Sequence, residues 1–153
     1  MLTNITLNIK SGSKVCLVGK PGSGVSMFML GIMGEATLTK GHFKLNGKLS
    51  YLSMSYELIL TTTVKRNIIM NERYNANKFV SVLDIVELDL TRFAAGEQTE
   101  ILLNGQNISY DERKKILLAR VLYHGGDIYC LDKCFESWCP DLSERIFKKM
   151  MNV

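Results

Sequence analysis

The sequence feature that most constrains the fold is the glycine-rich segment GKPGSGVS at residues 19–26, which lies between two apolar runs. The run before it, KVCLVG at 14–19, is rich in branched residues and is typical of a fully buried strand. The run after it, SMFMLGIM at 26–33, is apolar and rich in helix formers. A strand, a glycine-rich loop and a helix in this order predict an α/β fold with a largely parallel sheet.

The same segment nearly matches the phosphate-binding loop pattern G-x-x-x-x-G-K-[ST]. Gly19, Gly24 and Ser26 occupy the places that the pattern requires, whereas Val25 stands in place of the lysine. In such a loop, backbone N–H groups and the N-terminus of the next helix bind phosphate oxygens. We therefore predict that the loop binds nucleotide phosphates. The predicted contact residues are Gly19, Lys20, Pro21, Gly22, Ser23, Gly24, Val25, Ser26 and Met27.

The missing lysine weakens the predicted site. A charge-assisted hydrogen bond contributes roughly 1.5–3 kcal/mol, and Val25 cannot form one. Lys20, the second residue of the loop, is a candidate to replace part of that charge. The alternative is that Lys20 is an exposed loop residue with no ligand.

The rest of the chain alternates strand and helix signals. Residues 5–9 alternate apolar and polar side chains, as a half-buried strand does, and residues 42–52 predict two short strands around an Asn-Gly turn. Apolar residues at helical spacing predict helices over 75–88 and 142–151. The residues expected to face inward are Phe79, Val82, Leu83 and Val86 on the first helix, and Leu142, Ile146, Phe147 and Met150 on the second.

A third helix and a last strand complete the pattern. Ser109 followed by Glu112 predicts a capping box before a helix that runs to about Tyr123. The apolar run DIYCLD at 127–132 predicts a strand that ends in Asp132. An acid in that place holds the magnesium of a bound nucleotide, so the predicted metal ligands are Ser26 and Asp132.

Composition excludes several classes of protein. The chain is 46% hydrophobic and 22% charged, which indicates a globular domain. No segment has the roughly 20 apolar residues of a membrane span, and the N-terminus carries no signal-peptide signal. The densest basic cluster, at 113–115, is interpreted as a solvated helix face and not as a nucleic-acid interface. Cys16 and Cys130 are predicted to be buried thiols, and the cysteine spacing does not suit zinc.

Taken in order, these segments resemble the nucleotide-binding domain of ATP-binding-cassette (ABC) transporters, in the multidrug-resistance-associated and cystic-fibrosis-channel branch. The segments that carry the resemblance are LTNITLNIKSGSKVCLVGKPGSG, LGIMGE, KLSYLS, TTTVKRNI, TEILLNGQNIS, ILLARVLY and DIYCLD. The resemblance covers nearly all 153 residues. It implies a P-loop NTPase core with a largely parallel sheet flanked by helices. It also implies one domain over 1–153, with the core in 1–70 and 127–153 and a helical subdomain over about 71–126.

The chain departs from the family pattern at the motif positions that bind or hydrolyse ATP. Val25 replaces the Walker A lysine, and the Q-loop glutamine falls on Met54 or Ser55. The signature LSGGQ corresponds to ISYDE at 108–112, and Lys133 replaces the catalytic glutamate. The D-loop aspartate falls on or near Cys139, and the places of the adenine-stacking aromatic and the switch histidine lie outside the chain, so we expect it to lack terminal elements.

Three functions follow from the resemblance. The favoured one is a degenerate domain that binds ATP, with magnesium, weakly or structurally and without efficient hydrolysis. It would act beside a transporter membrane domain or a second cassette, at the cytoplasmic face of a membrane. The alternative is a nucleotide-free interaction module or relic of the same fold. An active transporter ATPase is disfavoured, because every catalytic position that can be placed, except Ser26 and Asp132, departs from the family pattern.

Overall fold

The structure, a computed structural model, describes residues 2–52, 59–136 and 138–152. The chain divides into two compact units, residues 1–47 and 48–153. No helix in the described ranges combines the length and apolar character that crossing a membrane requires.

The first unit contains helix α1, Val25–Met33, as the sequence predicts. The helix begins after Gly24 (φ 97°) and ends at Gly34 (φ 81°), and both residues adopt the left-handed conformation that glycine tolerates best. The N–H of Gly34 donates to the carbonyl of Gly31 (3.1 Å) and the N–H of Glu35 to that of Leu30 (2.9 Å), which closes the last turn. None of the residues of α1 is buried.

The predicted strands of the first unit are wrong. The described residues 2–47 contain no strand, so neither 5–9, 14–19 nor the first half of the predicted hairpin pairs with a neighbour. Val18 is 89% exposed, and Cys16 is exposed although we expected it to be buried. An apolar run indicates only that a segment could be buried in a sheet. A strand also needs a neighbouring strand that pairs with its backbone N–H and C=O groups, and an apolar run does not indicate whether one is present.

The second unit contains a parallel pair of strands, β1 (Leu49–Leu52) and β2 (Ile128–Leu131). Their register places Leu49 opposite Ile128 and Leu52 opposite Leu131. The parallel pairing and the position of β2 confirm the prediction. β1 is the second of the two strands expected around the Asn-Gly turn, and Gly47 precedes it with φ 118°.

The described part of the second unit also contains four α-helices: α2 (Val64–Ile69), α3 (Ala76–Val86), α4 (Tyr110–His124) and α5 (Pro140–Met150). Short 3-10 turns lie at Leu90–Arg92, Gly96–Gln98 and Leu103–Gly105. Helix α4 is central, because it contacts α2, α3 and β1. The core side chains that are at most 2% exposed are Leu52, Val64, Ile68, Phe79, Val86, Ile101, Ile116, Leu117, Leu118, Ala119, Tyr123 and Ile146.

The predicted inward faces of α3 and α5 are largely confirmed. Phe79, Val82 and Val86 are buried on α3, and Ile146 and Met150 are buried on α5. The remaining members, Leu83 and Leu142, are partly buried against the core. Phe147 is an error, since it is 43% exposed. Its ring meets the ring of Phe135 edge-on at 6.0 Å, so it lies at the border of the core and not within it.

A buried polar network that the sequence did not predict joins α2 to α4. The Arg120 guanidinium donates to the Asn67 carbonyl (Nε, 2.6 Å) and to Asn67 Oδ1 (Nη2, 3.0 Å). Asn67 Oδ1 also accepts from the N–H of Leu60 (2.9 Å), and Asn67 Nδ2 donates to the Leu60 carbonyl (2.9 Å). Asn67 is fully buried, so this network ties the segment before α2 to the central helix.

Candidate functional site

The glycine-rich loop is a compact turn that leads into α1. The N–H of Ser23 donates to the carbonyl of Lys20 (2.9 Å), and both Gly22 (φ 81°) and Gly24 (φ 97°) have left-handed backbones. A Cβ at Gly19 would lie 2.1 Å from Ser23 Oγ, and one at Gly24 would lie 2.7 Å from Leu2 Cδ2. The left-handed backbone of Gly24 favours glycine, whereas a side chain at Gly19 would require the Ser23 hydroxyl to move.

The start of α1 offers backbone donors. The first helical hydrogen bond is from the N–H of Phe28 to the carbonyl of Gly24 (2.8 Å). The N–H groups of Val25, Ser26 and Met27 find no acceptor among the described residues. The helix has no side-chain cap and no acid in its first turn. An N-terminus of this kind attracts anions, so the residues present fit a phosphate group.

The loop is poor in positive charge. Val25 fills the lysine position in the first turn of α1, and it is only partly exposed. Lys20 is exposed and forms no ion pair within the described ranges. The phosphate contacts of residues 19–27, and the replacement of the missing lysine by Lys20, stay predictions.

Asp132 lies directly after β2, where the sequence placed it. Its N–H donates to the Leu52 carbonyl (3.1 Å), which extends the strand pairing by one bond, and its side chain is partly exposed. The next residue, Lys133, has φ 56°, and no ion pair within the described ranges joins it to Asp132. Ser26 belongs to the first unit and Asp132 to the second, so their joint role as magnesium ligands stays a prediction.

The start of α4, at the signature position, is closed by its own side chains. The N–H of Glu112 donates to Ser109 Oγ (3.2 Å), and the N–H of Ser109 donates to Glu112 Oε2 (2.7 Å). This confirms the predicted capping box. Asp111 adds a second carboxylate to the first turn, and the exposed Tyr110 ring occupies the first helical position. Two carboxylates and a satisfied cap make this helix start unsuited to a phosphate.

The interpretation of Arg113, Lys114 and Lys115 as a solvated face is wrong. Lys114 is only 1% exposed. Arg113 Nη2 donates to the Gly105 carbonyl (2.6 Å) and Lys115 Nζ to the Glu87 carbonyl (2.8 Å). All three side chains fold back onto the protein, because each finds a backbone carbonyl near α4. The sequence shows that three basic residues are adjacent, but it does not show which backbone carbonyls lie close enough to accept their hydrogen bonds.

Of the two remaining motif positions, the structure describes the D-loop position and not the Q-loop position. Met54 and Ser55, the predicted Q-loop positions, lie outside the described residues. Cys139 is exposed and stands immediately before α5. Cys130 is buried, as predicted, and burial raises the pKa of its thiol.

Comparison with known proteins identifies the family of the chain. A family model described as ABC transporter matches residues 2–136. Similar proteins include ABC transporter C family member 8 of Dictyostelium discoideum, 32% identical over 154 residues, and ABC transporter C family member 9 of Arabidopsis thaliana, 36% identical over 149. The cystic fibrosis transmembrane conductance regulator of Danio rerio is 29% identical over 153 residues.

These alignments cover 99%, 96% and 99% of the chain, and 10% of each relative. The chain thus spans about a tenth of the length of the relatives it matches.

Proposed function

The chain belongs to the ABC transporter family, on the branch of the C-family members and the cystic fibrosis conductance regulator, and we propose that it is a degenerate ATP-binding domain of that type. It binds Mg-ATP weakly through the loop at 19–27 and does not hydrolyse it efficiently. It acts with a transporter membrane domain or a second cassette, at the cytoplasmic face of a membrane. The proposal includes no nucleic-acid partner.

The observation that supports the proposal is the contrast between the loop and the signature position. The start of α1 has free backbone donors and no acid. The start of α4 has used its cap and carries Asp111 and Glu112. A like-charge contact with a phosphate at about 4 Å costs on the order of 4 kcal/mol at an effective dielectric near 20. Phosphate binding can therefore survive at the loop while the signature position contributes no phosphate contact.

The proposed loss of hydrolysis is supported by the residue at the position of the catalytic glutamate. Lys133 stands in place of the catalytic glutamate, and an ammonium cannot take a proton from an attacking water. Lys133 also has a left-handed backbone. Its side chain therefore leaves the chain in a different direction from that of a residue with an extended backbone. Binding without turnover is the expected result.

A thermal-shift titration of the chain with Mg-ATP tests the proposal. We expect the melting temperature to rise with ligand, and the rise to shrink in Ser26→Ala and in Asp132→Ala. Phosphate release should stay at the level of a control without protein. A melting temperature that does not respond to millimolar Mg-ATP would overturn nucleotide binding, and steady phosphate release would overturn the loss of hydrolysis.

A second candidate, the nucleotide-free interaction module, is favoured by the exposed apolar residues of the first unit. Ile5, Leu7 and Ile9 are 52%, 54% and 49% exposed. A contiguous patch of exposed apolar side chains marks a surface that a partner covers, and this candidate function requires these three residues to form one. The titration separates the two candidates, because the interaction module predicts no response to Mg-ATP in either the parent chain or the variants.

A further inference from the structure

The ammonium of Lys114 is buried between the first turns of α4 and the segment that follows β2. Lys114 Nζ donates a hydrogen bond to the Glu136 carbonyl and lies 4.6 Å from the ring centroid of Trp138. The Tyr110 ring lies on another side, with its centroid 5.4 Å away. A charge this deeply buried needs such contacts, because leaving it unpaired costs several kcal/mol.

No carboxylate within the described ranges forms an ion pair with Lys114. Burial raises the pKa of the neighbouring Cys134 to about 12, so that thiol stays neutral and supplies no counter-charge. Burial has the largest effect and lowers the pKa of Lys114, although the carboxylates of Asp111 and Glu136 favour the ammonium. The chain therefore keeps a lysine in a place where an apolar residue of similar length would avoid this cost. A positional role explains why the charge is there.

Two hydrogen bonds and the backbone between them connect this ammonium to Asp132. The Glu136 carbonyl accepts from Lys114, and the N–H of Glu136 donates to the carbonyl of Lys133 (3.0 Å). Lys133 follows Asp132, whose N–H is bonded to the Leu52 carbonyl (3.1 Å). The turn after β2 is thus fixed at one end by the sheet and at the other by a side chain of α4.

We propose that Lys114 is a positioning residue that holds the turn after β2, and through it the carboxylate of Asp132, in register with helix α4. The part of this inference that concerns Mg-ATP rests on the proposed function. The part that concerns the turn itself does not, since it follows from the contacts of Lys114 with Glu136 and Trp138.

The intrinsic fluorescence of Trp138 reports on the surroundings of Lys114 without an added label. It is the only tryptophan of the chain, it is 7% exposed, and its ring lies against the ammonium in question. Lys114→Met removes the charge and keeps the length of the side chain. The matched control is Lys115→Met, because Lys115 is the next residue of α4 and its ammonium bonds to the Glu87 carbonyl instead. Lys114→Gln, which keeps a neutral donor, is measured in parallel so that one poorly folding variant does not decide the test.

The first measurement is acrylamide quenching of Trp138 fluorescence in the full chain without nucleotide. We expect the quenching constant to rise about twofold in Lys114→Met and Lys114→Gln and to stay unchanged in Lys115→Met. Unchanged quenching in the two Lys114 variants would overturn the role of Lys114 in holding the turn. This result is independent of whether the chain binds nucleotide.

The second measurement is the affinity for Mg-ATP of the same variants. If Lys114 positions Asp132, the Lys114 variants bind Mg-ATP about tenfold more weakly, as when a group that orients a metal ligand is lost. Raised quenching with unchanged affinity would overturn the positioning of Asp132 and leave only a packing role. A parent chain that does not bind Mg-ATP would overturn the proposed function, while the quenching result would still decide whether Lys114 holds the turn.

Discussion

Helix α1 begins at a glycine, with no side-chain cap and no acid in its first turn, whereas α4 begins with a reciprocal capping box and two carboxylates. Helix α1 buries none of its residues, and α4 buries seven. The first helix start leaves backbone donors without an acceptor among the described residues, and the second is closed by its own side chains. The difference teaches that two helix starts in one chain can treat their backbone donors in opposite ways, one leaving them without a partner and the other satisfying them with side chains.

The largest expected difference between the two helices is in their contribution to stability. Ile116→Ala on α4 removes a side chain with no exposed surface and should lower the free energy of unfolding by about 2–5 kcal/mol. Ile32→Ala on α1, where no residue is buried, should lower it by less than about 1 kcal/mol. Urea unfolding followed by far-ultraviolet circular dichroism measures both. Equal losses would show that α1 contributes to the core as α4 does.

Restoring the missing lysine tests the charge of the first helix start. Val25→Lys should tighten Mg-ATP binding by about 10- to 150-fold, the equivalent of a charge-assisted hydrogen bond of roughly 1.5–3 kcal/mol. Val25→Met is the control, since it has a similar length and no charge. Isothermal titration of both variants decides the point. An equal gain in the two would mean that side-chain length, and not the missing charge, limits affinity.

Alanine substitutions of two serines distinguish a residue that caps a helix from one predicted to bind ligand. Ser109→Ala should lower the free energy of unfolding by about 1 kcal/mol, because Ser109 Oγ accepts the N–H of Glu112. Ser26 is the second residue of α1. Ser26→Ala should change the free energy of unfolding by less than about 0.5 kcal/mol and should instead weaken the binding of Mg-ATP. Chemical denaturation and thermal-shift titration are carried out on both. The contrast breaks down if Ser26→Ala is as destabilising as Ser109→Ala.

The smallest expected effect concerns the exposed charge at the second helix start. Asp111→Asn should remove about 0.3–1 kcal/mol of favourable interaction with the helix dipole, and less at high salt. Placing a carboxylate at the first helix start, in Val25→Asp, should leave stability nearly unchanged or slightly higher and should abolish the response to Mg-ATP. Melting temperatures at low and high salt, with and without ligand, test the pair. A retained ligand response in Val25→Asp would argue against phosphate binding at this helix.

The sequence predicted the features that depend on local patterns. The helices α1, α3, α4 and α5, the strand β2 and the capping box of Ser109 and Glu112 follow from spacing and cap residues that act within a few positions. Family membership followed from the order of the motifs.

The features that depend on distant contacts could not be predicted. Residues 5–9 and 14–19 have the composition of strands, but a strand forms only where a second segment pairs with it. Lys114 lies in a basic run, and only the fold brings the Glu136 carbonyl and the Trp138 ring to its ammonium. Asn67 and Arg120 are 53 residues apart, and their hydrogen bonds give no sequence signal.

The most direct test of the contrast between the two helix starts is a nuclear magnetic resonance titration of the isotope-labelled chain with Mg-ATP. We predict that the amide signals of residues 22–27 shift with ligand and that those of residues 110–113 do not. Shifts at the start of α4, or none at the start of α1, would contradict the account that this chain binds phosphate at its first helix and has given up that role at its signature position.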